Sequence, residues 1–196
     1  MANGKVCTGF SKPYVAKYAA NNGSVTYSDA QILARGVEVS LEVENGEPNN
    51  FYADNIVAET VAGTFTNGTL TLTVDGLFQD AERFILGLPT AGADGFVGYG
   101  ENNAPYIGVG FIVRSMSGGI TYYTPVVVKK CLFNTPTLEA ATQEDEIDWQ
   151  TQELVATCLR DDSADRFWKE VGTDYTTEAA AEAALQTKLG YVPPLT

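Results

Sequence analysis

The segment from Gly36 to Glu44 alternates apolar and polar residues with a period of two. Its apolar positions are Val37, Val39, Leu41 and Val43, and its polar positions are Glu38, Ser40, Glu42 and Glu44. This period predicts a β-strand with one buried face. Three carboxylates on the exposed face repel one another, so stability alone does not select the pattern. Two interpretations remain open: an ordinary solvated face, and an acidic surface used in assembly.

A polar loop is predicted directly after this strand. It contains Asn45, Gly46, Glu47, Pro48, Asn49 and Asn50, and Phe51 and Tyr52 follow it. The loop backbone has no obvious partner within one chain. We therefore expect the stretch from Glu44 to Tyr52 to be disordered in an isolated subunit and ordered against a neighbouring one. An ordinary hairpin is the alternative.

Turn dipeptides return along the chain and predict antiparallel pairing of sequential strands. They are Asn22-Gly23, Asn67-Gly68 and Gly118-Gly119, and such pairs supply the positive φ that two-residue hairpins need. The segments Ile107–Val113 and Thr124–Val128 are apolar on both faces, which predicts central strands. Two further strands are predicted, at Thr69–Asp75 with Leu70, Leu72 and Val74 inward, and at Ile147–Leu159.

One helix is predicted between these strands. Apolar residues recur at helical spacing from Leu77 to Leu88, Asp75 precedes them as a possible cap, and Gly87 and Pro89 end the pattern. The helix should pack its apolar stripe on the sheet.

A second helix is predicted near the C-terminus, from a cap at Thr176 to a stop at Gly190. Its apolar stripe is thin and consists of Ala181, Leu185 and Leu189. We expect this helix to dock outside the main domain, on a neighbouring subunit, and to be dispensable for the core fold. Truncation after Asp174 should then lower the melting temperature only modestly. The predicted organisation is one β domain over residues 1–170 and a helical appendage over residues 171–196.

The composition excludes several classes of function. The 196-residue chain has no histidine and a net charge of −13, which removes histidine-based catalysis and metal sites and opposes tight binding of DNA phosphates. No apolar run is long enough to span a membrane, and the N-terminus lacks the apolar core of a signal peptide. Reduced, buried thiols are the expected state of Cys7, Cys131 and Cys158.

Two acidic clusters could in principle hold calcium or hydrolyse a glycoside. They are Glu144, Asp145, Glu146 and Asp148, and Asp161, Asp162 and Asp165. Neither has the spacing of a calcium loop, so solvated loops or salt bridges are the favoured interpretation. We predict no catalytic residue, no metal site and no cofactor.

Several segments, in this order and spacing, resemble the major tail protein family of long-tailed phages and prophages of Gram-positive bacteria. They are Ala34–Glu42, Asn50–Glu59, Gly68–Gly76, Pro105–Arg114, Tyr123–Val127 and Glu146–Leu154. The resemblance extends from about Val6 to Arg160, and the C-terminal helix also resembles that of the family.

The resemblance implies a structural virion protein with the tail-tube fold, a mainly β antiparallel sandwich with a flanking helix and a C-terminal helix. Six copies would form a ring whose inner sheets join into a β-barrel, and stacked rings would form the tube that conducts DNA into the host. The stretch from Glu44 to Tyr52 would contact the next ring, and Glu38, Glu42 and Glu44 would face an acidic lumen.

Further copies of the chain are the main partner that the resemblance implies, together with tail terminator, tape measure and distal tail proteins. The resemblance also implies that DNA passes through the tube without specific binding and that no membrane is involved. The subunits would be made in the host cytoplasm. Three alternatives stay open: a tube subunit of a phage-derived bacteriocin or contractile injection particle, a carbohydrate-binding β-sandwich, and an enzyme.

Overall fold

The protein is mainly β, with ten strands and two helices among the residues that the computed structural model describes, 4–101, 103–140, 142 and 149–193. The strands are β1 (Val6–Asn21), β2 (Ser24–Ile32), β3 (Gly36–Asn45), β4 (Asn49–Ala53), β5 (Ile56–Val61), β6 (Phe65–Val74), β7 (Ile107–Ser117), β8 (Ile120–Phe133), β9 (Gln152–Leu159) and β10 (Lys169–Val171). The helices are α1 (Gln79–Leu86) and α2 (Glu178–Leu189). In this part of the chain, neither helix is long and apolar enough to cross a membrane.

Eight strands form one antiparallel sheet in the order β2-β1-β7-β8-β9-β6-β3, with β10 paired to β8. The predicted central position of β7 and β8 is confirmed, and so are two of the three predicted turns. Asn22-Gly23 joins β1 to β2 and Gly118-Gly119 joins β7 to β8, all four residues having positive φ. The predicted strand at Ile147–Leu159 is described only from residue 149, and its regular part begins at Gln152.

The predicted turn at Asn67-Gly68 is wrong. Both residues lie inside β6, where they pair with β3 on one side and Gly68 pairs with Cys158 of β9 on the other. The turn in this part of the chain is Asp54-Asn55, between β4 and β5, with φ of 50° and 62°. Aspartate and asparagine tolerate this left-handed conformation better than most residues.

The main core lies on one side of the sheet and is covered by α1. The predicted inward residues of β6, Leu70, Leu72 and Val74, are fully buried there. Residues of β1, β3, β7, β8 and β9 join the same cluster, and the ring of Phe10 in β1 lies against Gly36 of β3. Because strands from opposite ends of the order meet in one core, the sheet is strongly curved.

The first predicted helix is confirmed, with two differences at its start. It begins at Gln79 and has Phe78 in the N-cap position, without a side-chain cap. Asp75 does not cap it, because its carboxylate accepts hydrogen bonds from the backbone and side chain of Arg35. Gly87 ends the helix in the left-handed conformation, as predicted.

The second helix packs on the opposite face of the sheet. Its N-cap is Thr177, one residue later than predicted. The stripe of Ala181, Leu185 and Leu189 is fully buried, and together with Tyr14, Ala16, Ile112 and Val127 it forms a second core cluster. The expectation that this stripe docks on a neighbouring subunit is therefore wrong, because this chain's own sheet already covers it.

Polar contacts reinforce this packing. The Tyr14 hydroxyl donates to Glu182 over 2.7 Å and accepts from Gln186 over 2.8 Å. Burial and the neighbouring Glu182 carboxylate raise the pKa of Tyr14 to about 12. The predicted domain boundary at residue 170 falls inside β10, which pairs with β8.

Candidate assembly surfaces

A β-hairpin projects from the sheet between β3 and β6. We call residues 47–62 the arm; β4 and β5 pair only with each other in it. Every residue of the two strands is exposed except Ala53, which is half-buried. The exposed apolar side chains are Phe51, Tyr52, Ile56, Val57 and Val61, with exposed fractions from 49% to 68%. None of them belongs to either core cluster.

The arm joins the sheet through a narrow root. The backbone N–H of Gly46 donates to the carbonyl of Thr64 over 2.9 Å. A Cβ added to Gly63 would lie 1.6 Å from the carbonyl oxygen of Gly46, so only glycine permits this close approach. The two backbone segments of the root are therefore in contact, and the arm leaves and rejoins the sheet at the same place.

The predicted loop from Glu44 to Tyr52 is only partly a loop. Glu44 and Asn45 still belong to β3, only Gly46, Glu47 and Pro48 lack regular structure, and β4 begins at Asn49. Contrary to the prediction, this backbone has a partner within the chain, because β5 pairs with β4. Sequence reasoning missed β5 as that partner. The β-branched residues Ile56, Val57, Thr60 and Val61, after the turn-forming Asp54-Asn55, were the available signal.

An acidic, hydroxyl-rich face lies on the side of the sheet that faces away from the main core, over the strands that α2 does not cover. Directly opposed residues share a face, so the outward positions of β3, β6 and β9 form one surface, which we call the Glu/Thr face. Its members are Glu38, Ser40, Glu42, Glu44, Asn67, Thr69, Thr71, Thr73, Glu153, Val155 and Thr157. It holds four carboxylates and no cation. The shared exposed face predicted for Glu38, Glu42 and Glu44 is thus confirmed.

Two apolar residues of β3 depart from the predicted alternation, since Val37 is 55% and Val43 is 40% exposed. Val39 and Leu41 pack against the main core as expected, whereas a bulge between Gly36 and Glu38 displaces Val37 from it. The extra residue of a bulge is unpaired, which explains the exposure of Val37.

Two of the cations that could have neutralised the glutamates, Arg35 and Lys129, already have partners in the same chain. Arg35 pairs with Asp75, and its hydrogen bond holds the pKa of that carboxyl below the usual range. Lys129 is buried and lies 3.2 Å from the Asp161 carboxylate and 3.0 Å from that of Glu170. Within the described part of the chain, Glu38, Glu42 and Glu44 form no ion pair with any cation.

Two members of the second acidic cluster, Asp161 and Asp162, are explained by such pairs. Asp161 faces Lys129, and Asp162 accepts hydrogen bonds from Lys130 and the Tyr18 hydroxyl, each over 2.7 Å. These two bonds, with Lys130 the stronger influence, hold the pKa of Asp162 below its usual range. The first cluster, Glu144 to Asp148, lies outside the described residues. Elsewhere in the described chain, no group of three or more acidic or cysteine side chains could hold a metal ion.

Both edges of the large sheet are open. β2 pairs only with β1 and β3 only with β6, so across the described ranges each edge presents one unpaired side of its backbone. Open edges pair readily with strands of another chain. The arm, the Glu/Thr face and the two edges are thus the surfaces available for assembly.

No model of a known protein family matches this chain, and no similar curated protein was found.

Proposed function

We propose that this chain is the subunit of a phage tail tube. Six copies form a ring in which the subunits, as β-sandwiches, join their sheets into a closed barrel. The rings stack into a hollow tube through which DNA leaves the virion. The partners are further copies of the same chain, and the protein has no catalytic role.

The arm is the observation that carries this proposal. A two-stranded hairpin is at best marginally stable alone in water, and this one exposes five large apolar side chains. Burying them against another subunit would contribute on the order of 5–10 kcal/mol before the entropic cost of association. A projecting hairpin of this kind suits a contact between stacked rings.

The open sheet edges support closure into a ring. Head-to-tail contacts between identical subunits generate a ring when the rotation closes. Pairing the β2 edge of one subunit with the β3 edge of the next would give hydrogen-bond partners to the unpaired N–H and C=O groups of both edges. It would also remove the edges that otherwise invite aggregation.

The Glu/Thr face supports a lumen that DNA crosses without sticking. Glu38, Glu42 and Glu44 are exposed and unpaired with cations, so six copies would form a dense negative band. Such a surface repels phosphates, and it offers none of the lysine or arginine contacts from which DNA affinity arises. The threonine hydroxyls between the carboxylates keep the surface hydrated and even.

Excision of the arm tests the proposal. Because Gly46 and Gly63 touch, residues 47–62 can be replaced by an Asn-Gly turn without displacing β3 or β6. The excised protein should retain the melting temperature of the full chain as a monomer and should form no tubes by negative-stain electron microscopy. A control with Glu101→Lys, which changes an exposed loop far from the arm in sequence, should assemble normally. Normal tubes from the excised protein would contradict the proposed role of the arm.

A further inference from the structure

Two of the three cysteines, far apart in sequence, face each other in the main core. Cys131 of β8 and Cys158 of β9 are directly opposed in the antiparallel ladder, and their Sγ atoms are 3.7 Å apart. Both are fully buried and reduced, whereas Cys7 is exposed, contrary to expectation. The sequence alone does not indicate this pairing, because 27 positions separate the two cysteines.

The pair sits at the weakest junction of the large sheet. Among the described residues, four pairs join β8 to β9, from Lys130–Leu159 to Phe133–Ala156, while every other ladder on the path has at least seven. This short ladder connects the half that contains β2, β1, β7 and β8 to the half that contains β9, β6 and β3. A covalent link at this point would hold the two halves together.

We propose that Cys131 and Cys158 form an intrachain disulfide on oxidation and so join the two halves of the sheet. Two S–H bonds break and one S–S bond forms, and the two electrons and two protons pass to a two-electron oxidant such as an azo compound or a small disulfide. With diamide as the oxidant, the N=N group becomes a hydrazine, so atoms and electrons balance.

The local chemistry assigns the two thiols different roles. The hydrogen bond from Cys131 lowers the pKa of the Cys158 thiol, whereas burial raises the pKa of Cys131. Cys158 is therefore the thiol that ionises and attacks the oxidant first. Cys131 then attacks the sulfur of Cys158 in the resulting adduct, which is a sulfenylhydrazine with diamide and a mixed disulfide with a small disulfide, and the reduced oxidant leaves.

The bridge needs a small rearrangement that the site permits. Directly opposed Cβ atoms in an antiparallel pair lie about 4.5–5.5 Å apart, and a disulfide needs about 3.5–4.5 Å. The strands must therefore approach by about 1 Å. The irregular pairing of β8 between Val128 and Cys131 and the shortness of the β8–β9 ladder make this movement local.

Oxidation should raise thermal stability. The bridge would close a loop of nearly thirty residues, and cross-links of this size restrict the unfolded chain. We expect the melting temperature to rise by about 5–15 °C on oxidation and to return on treatment with dithiothreitol.

The experiment uses the full chain with Cys7→Ser, which removes the exposed thiol and prevents cross-links between subunits. After treatment with diamide, titration in denaturant should show loss of both remaining thiols. Peptide mapping without reduction should join the segments that contain Cys131 and Cys158. The matched control, Cys7→Ser with Cys158→Ala, should keep one free thiol and show no rise in melting temperature.

Burial could slow the oxidant, so a second measurement removes this barrier. The Cys7→Ser protein is unfolded in urea and refolded in a mixture of reduced and oxidised glutathione, where both thiols are accessible before the core closes. The bridged form should accumulate and melt at the higher temperature. Two free thiols after both treatments, or a bridged protein that melts below the reduced one, would overturn the proposal. The bridge needs only the folded chain, so this result is independent of tube assembly.

Discussion

The large sheet and the arm are built from the same kinds of residue but differ completely in burial. Ile107 begins β7 and is fully buried in the main core, whereas Ile56 begins β5 and is 67% exposed. Both strands belong to antiparallel ladders with β-branched and aromatic residues. The central strands of the sheet bury their apolar residues under α1, α2 and the curvature of the sheet, whereas all the large apolar side chains of the arm are exposed.

This difference separates what stabilises the subunit from what serves assembly. The free energy of folding comes from the two core clusters, so the arm can change without unfolding the body. The apolar side chains of the arm gain burial only against another molecule. Substitutions in the large sheet should therefore change the melting temperature, whereas substitutions in the arm should change the formation of tubes.

The largest effect is expected from removal of α2. Truncation after Asp174 exposes Tyr14, Ile112 and Val127 and removes the buried Leu185 and Leu189. The loss is on the order of 5–10 kcal/mol, comparable with the total stability of many domains. Circular dichroism of residues 1–174 should therefore show no cooperative melting at 25 °C or above.

A full-length variant with Leu185→Ala and Leu189→Ala keeps the helix residues but removes the stripe, and it should also be strongly destabilised. If the truncated chain melted within a few degrees of the full chain, α2 would belong with the arm as an appendage, and not with the body.

A matched pair of isoleucine substitutions tests the comparison directly. Ile107→Ala leaves a cavity in the main core and should cost about 2–5 kcal/mol, or about 5–15 °C in melting temperature. Ile56→Ala removes the same atoms from an exposed site and should leave the melting temperature of the monomer within about 1 °C. It should, however, weaken tube formation, measured by sedimentation. Equal losses of stability from the two variants would show that the arm packs on its own body.

Acid should weaken the body through its ion pairs. Glu170 accepts hydrogen bonds from Lys188 and Lys129, which hold its pKa below the usual range although burial opposes this. A carboxyl with a lowered pKa stabilises the fold above the pKa of the unfolded chain, about 4.3. That stability is lost as the pH falls through the folded value.

Melting temperatures from pH 7 to pH 3 measure this contribution. The difference between the wild type and Glu170→Gln should be about 2–4 °C at pH 6 and should shrink towards pH 3. A difference that is constant with pH would assign the effect of the substitution to packing, and not to charge.

The smallest effect on stability is expected from the Glu/Thr face. Glu38→Lys with Glu42→Lys should change the folding free energy by less than about 0.5 kcal/mol, because both sites are exposed. Tubes should still form, and they should retain a fluorescent oligonucleotide in low salt and release it as salt is raised. The control Asp94→Lys with Glu101→Lys makes the same change of charge in the exposed loop after α1. Absence of tubes from the first variant alone would place these glutamates at a boundary between subunits.

Local sequence patterns predicted where strands, turns and helices lie better than they predicted which strands pair. The alternation in β3 and β6 and the turns at Asn22-Gly23 and Gly118-Gly119 are set by neighbouring residues, so they could be inferred from the sequence. Asn67-Gly68 has the composition of a turn but lies inside β6, where pairing with strands on both sides outweighs the local preference. Pairing between distant strands, such as β6 with β9, leaves no local signal.

The candidate surfaces were predictable to a similar extent. The shared face of Glu38, Glu42 and Glu44 follows from a period of two, which needs no knowledge of the fold. The close approach of Gly46 and Gly63, which makes residues 47–62 a separate arm, depends on where β3 and β6 meet. The buried stripe of α2 was visible in sequence, but the sheet surface that receives it is assembled from β1, β7 and β8.

Electron microscopy of the purified full-length chain tests the central proposal most directly. Because assembly depends on concentration and on screening of the acidic face, samples should span a wide range of both protein and salt. The proposal predicts hollow tubes or rings whose end views average to sixfold symmetry. A protein that stays monomeric at the highest concentration in every salt condition, with an intact arm and a melting curve typical of a folded chain, would contradict it.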